Sequence, residues 1–390
     1  MGRVMTWLRR GLCGAGLLAF GLVFLELCLR LGNPQVIEPR NTTGTPWGVR
    51  GNMPGLTYYH QTPFGPIRFR INHQGMRADY DYPEAPAPGV CRIEVYGDSF
   101  LMGYEVQEPD TFAQQLGAAL KARGLDVEVL NLSVSGFGQA EMLLTYEAQG
   151  RRFHPSVVVA SWHYTDLDDN PRSQLFKLTR EGLARNQPTY MPSVDLQRGL
   201  SGNRLYTWLS ENSQLWSYGR EHLGYQVRKL LAAVRKGDAA EPDAAVGEGT
   251  GQGAPDSQAK ALSQALLTEF DGKVRGDGAA FVVVAIPKHP SRDVYEPASE
   301  LLPAPFWSKF DLVEPTPMLK KAASGGKVFN DRGGAMHFTP RGNRLVAALT
   351  AEHLVTSPAL QRCRALPSAG ARQARLERGF AVGHALNEAD

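Results

Sequence analysis

Ile93-Glu94-Val95-Tyr96-Gly97-Asp98-Ser99 decides how this chain is read. A strand-like run, Ile93 to Tyr96, ends in Gly-Asp-Ser. On its own that tripeptide is an ordinary turn. A strand that exits onto a serine also presents a hydroxyl, which is a poor nucleophile until a base takes its proton. A candidate base stands far downstream: His337 opens His337-Phe338-Thr339-Pro340-Arg341-Gly342, just ahead of an amphipathic helix pattern.

Outward from Ser99, strand and helix patterns alternate. Residues 91–97 read as a strand, 111–123 as a helix with Phe112, Leu116 and Leu120 on one face, and 127–134 as a second strand. Residues 139–149 read as a helix and 156–162 as a continuous apolar strand suited to the middle of a parallel sheet. Further on, 257–274 reads as a helix, 279–286 as a buried strand, 326–329 as a short last strand and 342–355 as the last helix. This alternation predicts an α/β fold, a three-layer α/β/α sandwich with a central parallel sheet. Ligands in such sheets bind at the carboxyl ends of the strands.

Residues 171–257 interrupt the rhythm. Their first part is aromatic and helix-like and reads as an insertion acting as a cap over the sheet edge, or as a packing insertion with no further role. Residues 236–256 are rich in Gly, Ala, Asp and Pro and read as a disordered loop. Pro83 to Gly89 reads as a linker that ends an irregular, short-stranded lead-in over 33–90. The α/β domain then spans 91–357, and a small, charged tail covers 358–390.

With 390 residues, 43% hydrophobic and 21% charged, the chain has the composition of a folded globular protein. A net charge of +3 with no basic stripe points away from nucleic acid. Arg3, Arg9 and Arg10 precede an apolar run from Gly11 to Leu29, broken only by Glu26. That run is long enough to cross a bilayer, so residues 1–32 read as a signal anchor. Positive charge before the run puts the N-terminus in the cytoplasm and the rest outside, which for a bacterial chain means the inner membrane and the periplasm. A cleaved signal peptide is the rival, but no small-x-small site follows the run. Cys91 and Cys363 fall in the exported part and either pair or stay buried as thiols. No Cys/His cluster has metal-ligand spacing, and no cofactor fingerprint is present.

Four polar or glycine segments converge on strand exits: Ser99, Gly136 in Ser135-Gly136-Phe137-Gly138, His163-Tyr164-Thr165-Asp166, and His337 near the close of the fold. Their order resembles the SGNH (GDSL-type) hydrolase superfamily. The likeness lies in Val95 to Gly103 for the serine block, Asn131 to Gly138 for the glycine block and Asp331 to Gly342 for the Asp/His block. It covers roughly 91–354 without the insertion. Asn72-His73-Gln74-Gly75-Met76-Arg77 also resembles the lead-in of membrane-anchored bacterial members.

The resemblance implies a flavodoxin-like sheet, Ser99 as nucleophile and His337 as its base. The backbone N–H groups of Ser99 and Gly136 would be oxyanion donors. The third donor of that family is an asparagine; Thr165 stands there, with His163 or Asn170 as substitutes. The family's acid comes three residues before the histidine, where this chain has Gly334, and Asp331 is the nearest carboxylate. Asp98 reads as a local hydrogen-bonding residue of the turn. His154 reads as a helix-end residue, His289 and His353 as surface residues, and Asp166, Asp168 and Asp169 as a solvated loop, with cation binding as the alternative. Trp208, Trp216, Tyr218 and Tyr225 read as packing within the cap, with sugar stacking as the alternative.

The implied activity is that of an exported, membrane-anchored serine esterase with no cofactor, acting on an ester such as an O-acyl group of an envelope or secreted glycan, by hydrolysis or by transfer to another acceptor. The alternative is a catalytically impaired protein of the same fold that binds glycan or serves assembly.

Overall fold

The computed structural model describes residues 2–32, 41–186, 199, 202–219, 257–291, 294–331 and 336–360. Two compact units divide the chain: residues 1–41 with 196–248, and residues 42–195 with 249–390.

In the first unit one helix, Gly2–Gly32, contains a stretch, Leu12–Gly32, that is long and apolar enough to cross a membrane, with mean hydropathy 2.2. Its acid, Glu26, is not left bare. The carboxylate accepts from Arg30 Nε, Ser213 Oγ and the backbone N–H groups of Gln214 and Leu215, at 2.8 to 2.9 Å. It therefore caps the helical turn that starts at residue 214. Cys13 and Cys28 are free and exposed on the same helix.

The second unit holds the sheet. Five strands, β5 (Cys91–Tyr96), β6 (Val127–Asn131), β7 (Val157–Trp162), β10 (Ala280–Ala285) and β13 (Asp311–Val313), run parallel in the order β13-β10-β7-β5-β6. Every residue of β5 and β7 is buried. Side chains alternate between the two faces of a strand. On one face Tyr96, Val158, Ala160, Phe281 and Val283 pack against Leu143 of helix Gln139–Ala148 and against Leu267 and Phe270 of helix Ser257–Gly276. On the other, Ile93, Val95, Val159, Val282 and Val284 meet Leu116 and Leu120 of helix Phe112–Lys121 and Val346 and Leu354 of helix Pro340–Thr356. The result is the three-layer α/β/α sandwich. The chain reverses its winding between β5 and β7, and the crevice at such a switch point is where these sheets bind ligands.

The last sheet strand is β13, not 326–329. Phe329 instead makes an isolated bridge with Phe338, and both rings meet Phe100 in the turn behind β5. A three-residue strand has too few positions to show a hydropathy period, which is why 311–313 did not stand out.

The lead-in consists of two small antiparallel pairs, β1 (Thr42–Gly44) with β2 (Arg50–Asn52) and β3 (Thr57–Thr62) with β4 (Gly65–Arg70). It reaches the sheet's loops with buried side chains. Arg77, 1% exposed, donates to the carbonyls of Met102, Gly103 and Val106 and ion-pairs with Glu108 at 2.9 Å. Asn52 Nδ2 donates to Ser133 O at 3.2 Å.

The insertion divides. β8 (Phe176–Thr179) and β9 (Gly182–Arg185) form a hairpin against helix Ser257–Gly276. Helix Arg204–Asn212 and residues 214–219 group with the N-terminal helix, where Tyr206 and Trp216 meet edge to face. The aromatic part expected to cap the sheet therefore belongs to the other unit. Tyr225, the loop 236–256 and the tail beyond 360 lie outside the described residues. β11 (Lys288–Ser291) and β12 (Val294–Glu296) complete the strands.

Several residues differ from their expected settings. Asp166 and Asp169 are buried in the first turn of helix Asp166–Ser173, so this run is no solvated loop. His289 stacks on Phe329 with ring centroids 4.6 Å apart, and His353 pairs with Asp311; both are half-buried rather than surface residues. Cys91 is disulfide-bonded, while Cys363 lies outside the described residues.

Burial pushes the Glu94 carboxyl up to about 8, against a hydrogen bond from Tyr96 Oη at 2.8 Å and the charge of Arg92. A raised carboxyl pKa stabilises the fold below the unfolded value and loses that contribution as pH rises through the folded one. The loss is about 1.4 kcal/mol per pH unit between the two values. Glu94→Gln, which keeps the shape and stays neutral, is expected to leave the melting temperature nearly unchanged at pH 5. At pH 8.5 it should melt above the parent protein; thermal melts at the two pH values check this.

Candidate active site

Ser99 opens a one-turn helix, Ser99–Met102, directly behind β5. Asp98 caps that turn: its Oδ1 accepts the Phe100 N–H at 2.8 Å. Burial lifts the Asp98 carboxyl to about 6, against that bond and the charge of His337. Gly97 is required by close approach, since a Cβ there would lie 2.8 Å from both Leu101 Cβ and Ser161 Oγ. Together these fix the direction in which the serine leaves the strand.

His337 arrives from the other end of the chain. The Phe329–Phe338 bridge and the bond from Asn330 N to His337 O, 2.8 Å, hold its backbone. Thr339 then caps helix Pro340–Thr356, with Pro340 in the first turn where a missing N–H costs nothing. His337 Nε2 lies 2.6 Å from Ser99 Oγ, and Nδ1 lies 2.6 Å from Glu105 Oε1. With the ring proton on Nδ1 and donated to Glu105, Nε2 is free to accept the serine hydroxyl.

The carboxylate on the imidazole is therefore Glu105, not Asp331. Nδ1 carries one N–H, and Glu105 takes it, while Asp331 ion-pairs with Lys327 at 2.5 Å. Glu105 sits in the loop after the Ser99 turn, gripped on either side by Arg77 at Gly103 O and Val106 O. Burial pushes its carboxyl up, but hydrogen bonds from His337 and from Asn330 Nδ2, the latter at 2.6 Å, outweigh this and leave it below the usual range. It stays ionised at neutral pH. The only sequence signal pointing to it was negative: Gly334 stands where an acid was expected.

Gly136 lies in a turn closed by Phe137 N to Val134 O at 3.1 Å, with φ +74°, a conformation that favours glycine. Val134 N donates to Gly97 O at 3.0 Å, so this turn abuts the serine loop. Among the described residues neither the Ser99 nor the Gly136 N–H has a protein acceptor. Two uncommitted backbone donors beside an activated hydroxyl are the equipment for a developing oxyanion.

Thr165 Oγ1 lies 3.0 Å from His163 Nδ1 at the exit of β7. Burial pushes the His163 imidazole down to about 3, with the charges of His337 and Lys288 adding to this, so it is neutral. Asp166 anchors the loop by accepting His163 N at 2.7 Å and Gln139 Nε2 at 2.6 Å. Asn170 does not reach back to the site. It is buried, with Oδ1 on Ala140 N and Nδ2 on Gln139 Oε1 and Ser263 Oγ.

The arrangement can pass a proton from a serine to an imidazole whose charged form a buried carboxylate stabilises. Similar folds occur among solved structures. TesA is 16% identical, with 70% of this chain and 99% of that one covered and a TM-score of 0.35. An esterase, EstA, from Pseudoalteromonas is 13% identical, covering 68% and 96%, at 0.34. An acetyl-xylooligosaccharide esterase from Geobacillus is 8% identical, covering 69% and 95%, at 0.38. No family model matches the sequence, and no curated protein matches it.

Glu105→Gln is expected to lower kcat for a short ester by about 10³- to 10⁴-fold, because an amide no longer stabilises the imidazolium and permits the wrong tautomer. Asp331→Asn should stay within about twofold of the parent. Steady-state hydrolysis of p-nitrophenyl acetate by the two variants separates the two carboxylates.

Proposed function

We propose that this chain is an exported, membrane-anchored serine esterase of SGNH type. The observation that carries the reading is the continuous relay from Ser99 Oγ through His337 to Glu105, both links at 2.6 Å. Ser99 Oγ attacks the ester carbonyl carbon as its proton passes to His337 Nε2. The negative charge moves to the carbonyl oxygen, where the N–H groups of Ser99 and Gly136 receive it. The imidazolium then gives its proton to the departing alcohol, leaving an acyl-serine. Water, activated by the same nitrogen, releases the acid; a sugar hydroxyl in place of water makes the reaction a transfer.

Thr165 is the third donor in this reading. A neutral His163 with its proton on Nδ1 donates to Thr165 Oγ1 and leaves the threonine O–H to point at the oxyanion. The N-terminal helix is long and apolar enough for membrane attachment, and Arg3, Arg9 and Arg10 ahead of its apolar run favour the α/β unit outside. That location favours an O-acylated envelope or secreted glycan as the substrate. The alternative of a protein that only binds glycan has no use for a relay this complete.

The full-length protein is expected to be labelled by a fluorophosphonate probe and to hydrolyse p-nitrophenyl acetate. Ser99→Ala should abolish both, and Thr165→Val should lower kcat by about 10- to 10³-fold as one donor is lost. Labelling that persists in Ser99→Ala, or its absence in the parent, would sink the esterase reading.

A further inference from the structure

The Ser135–Gly136 peptide is held from outside its own loop. Residues 134–137 form a turn with glycine at the third position and φ +74°, and Ser135 has no positive φ, which makes this a type II turn. Types I and II differ by a flip of the central peptide. Here that peptide is the one joining Ser135 C=O to Gly136 N–H. In a trans peptide the C=O and N–H point in opposite directions, so whatever fixes the carbonyl also aims the amide.

Arg50 fixes the carbonyl. Its Nη2 donates to Ser135 O. Arg50 has no carboxylate within ion-pair distance among the described residues. The acids whose fields reach it are compromised as partners. Burial lifts Glu141 to about 8, so it is largely protonated at neutral pH, and Asp169 is engaged with Arg172. The guanidinium is therefore a nearly undivided donor to this turn. It also packs tightly there, since a Cβ on Gly136 would lie 2.5 Å from Nη2. Two residues on, on the same face of β2, Asn52 Nδ2 holds Ser133 O.

We infer that Arg50 is a positioning residue: it locks the Ser135–Gly136 peptide in the orientation that offers the Gly136 N–H to the oxyanion, and polarises that N–H through the shared amide. This rests on the reading of Gly136 as an oxyanion donor. A charge-assisted bond to the carbonyl is stronger than a neutral one, and hydrogen bonds in series strengthen each other. Without it the turn can relax to type I, which turns the Gly136 N–H away.

The test uses the full chain, with p-nitrophenyl acetate as the probe, and crystal structures of the parent and Arg50→Met. Arg50→Met is expected to lose about 10- to 100-fold in kcat, short of the cost of a donor removed outright. KM should stay within about threefold, the signature of an interaction that matters only in the transition state. Arg50→Lys, which keeps a charged donor, should recover much of the loss with an unchanged melting temperature. In the Arg50→Met crystal structure the Ser135–Gly136 peptide should be rotated. A rise in KM with kcat preserved would overturn the inference by making Arg50 a substrate contact. So would a loss of kcat that follows a fall in melting temperature, or an unrotated peptide. If the parent hydrolyses no ester, the functional reading fails, and the two crystal structures still decide whether Arg50 sets the turn.

Discussion

Side-chain donors on loop carbonyls hold this site together. A parallel sheet delivers its loops to one edge but leaves their conformations open, because the hydrogen-bond ladder ends where the loops begin. The lead-in takes over at that point. Arg77 grips three carbonyls around Glu105, Asn52 holds Ser133, and Arg50 holds Ser135. A guanidinium with five fixed donors suits this task, since several carbonyls can be set by one planar group. Sequestering the charge is costly, and Glu108 together with the carbonyl dipoles offsets that cost for Arg77. The lead-in thus acts less as a covering than as the second half of the loops it touches.

The same economy appears in the acids. Burial raises Asp98, Glu94 and Glu141, while Glu105 alone near the serine is held down by its partners. Glu105 is the carboxylate that touches the imidazole, at 2.6 Å from Nδ1. The neutral His163 nearby adds no competing cation. Acids and histidine thus separate into roles through environment rather than residue type.

The strands behind Ser99 and Thr165, the turn at Gly136 and the helix after His337 were legible in the sequence, because each couples a hydropathy pattern to a recognisable end. Glu105 was not. It lies in an aperiodic loop, and nothing local says that its carboxylate meets a ring from the far end of the chain. Asp331 drew attention through nearness in sequence to His337, but nearness along a loop does not supply direction. The buried Arg77 was invisible for another reason: hydropathy assigns a charged residue to the surface, and only the carbonyls it meets explain its burial. The strand at 311–313 was too short to declare itself, and the aromatic stretch 204–219 carried no sign of the unit it would join.

Serine and carboxylate share one short loop, whereas the imidazole between them comes from residue 337. Synthesis runs from the N-terminus, so the serine and its carboxylate are made long before the group that links them. Until the closing segment docks with Phe329 and Phe338 on Phe100, Ser99 is without its imidazole. The reactivity of the hydroxyl therefore dates from that docking and not from the making of the serine itself.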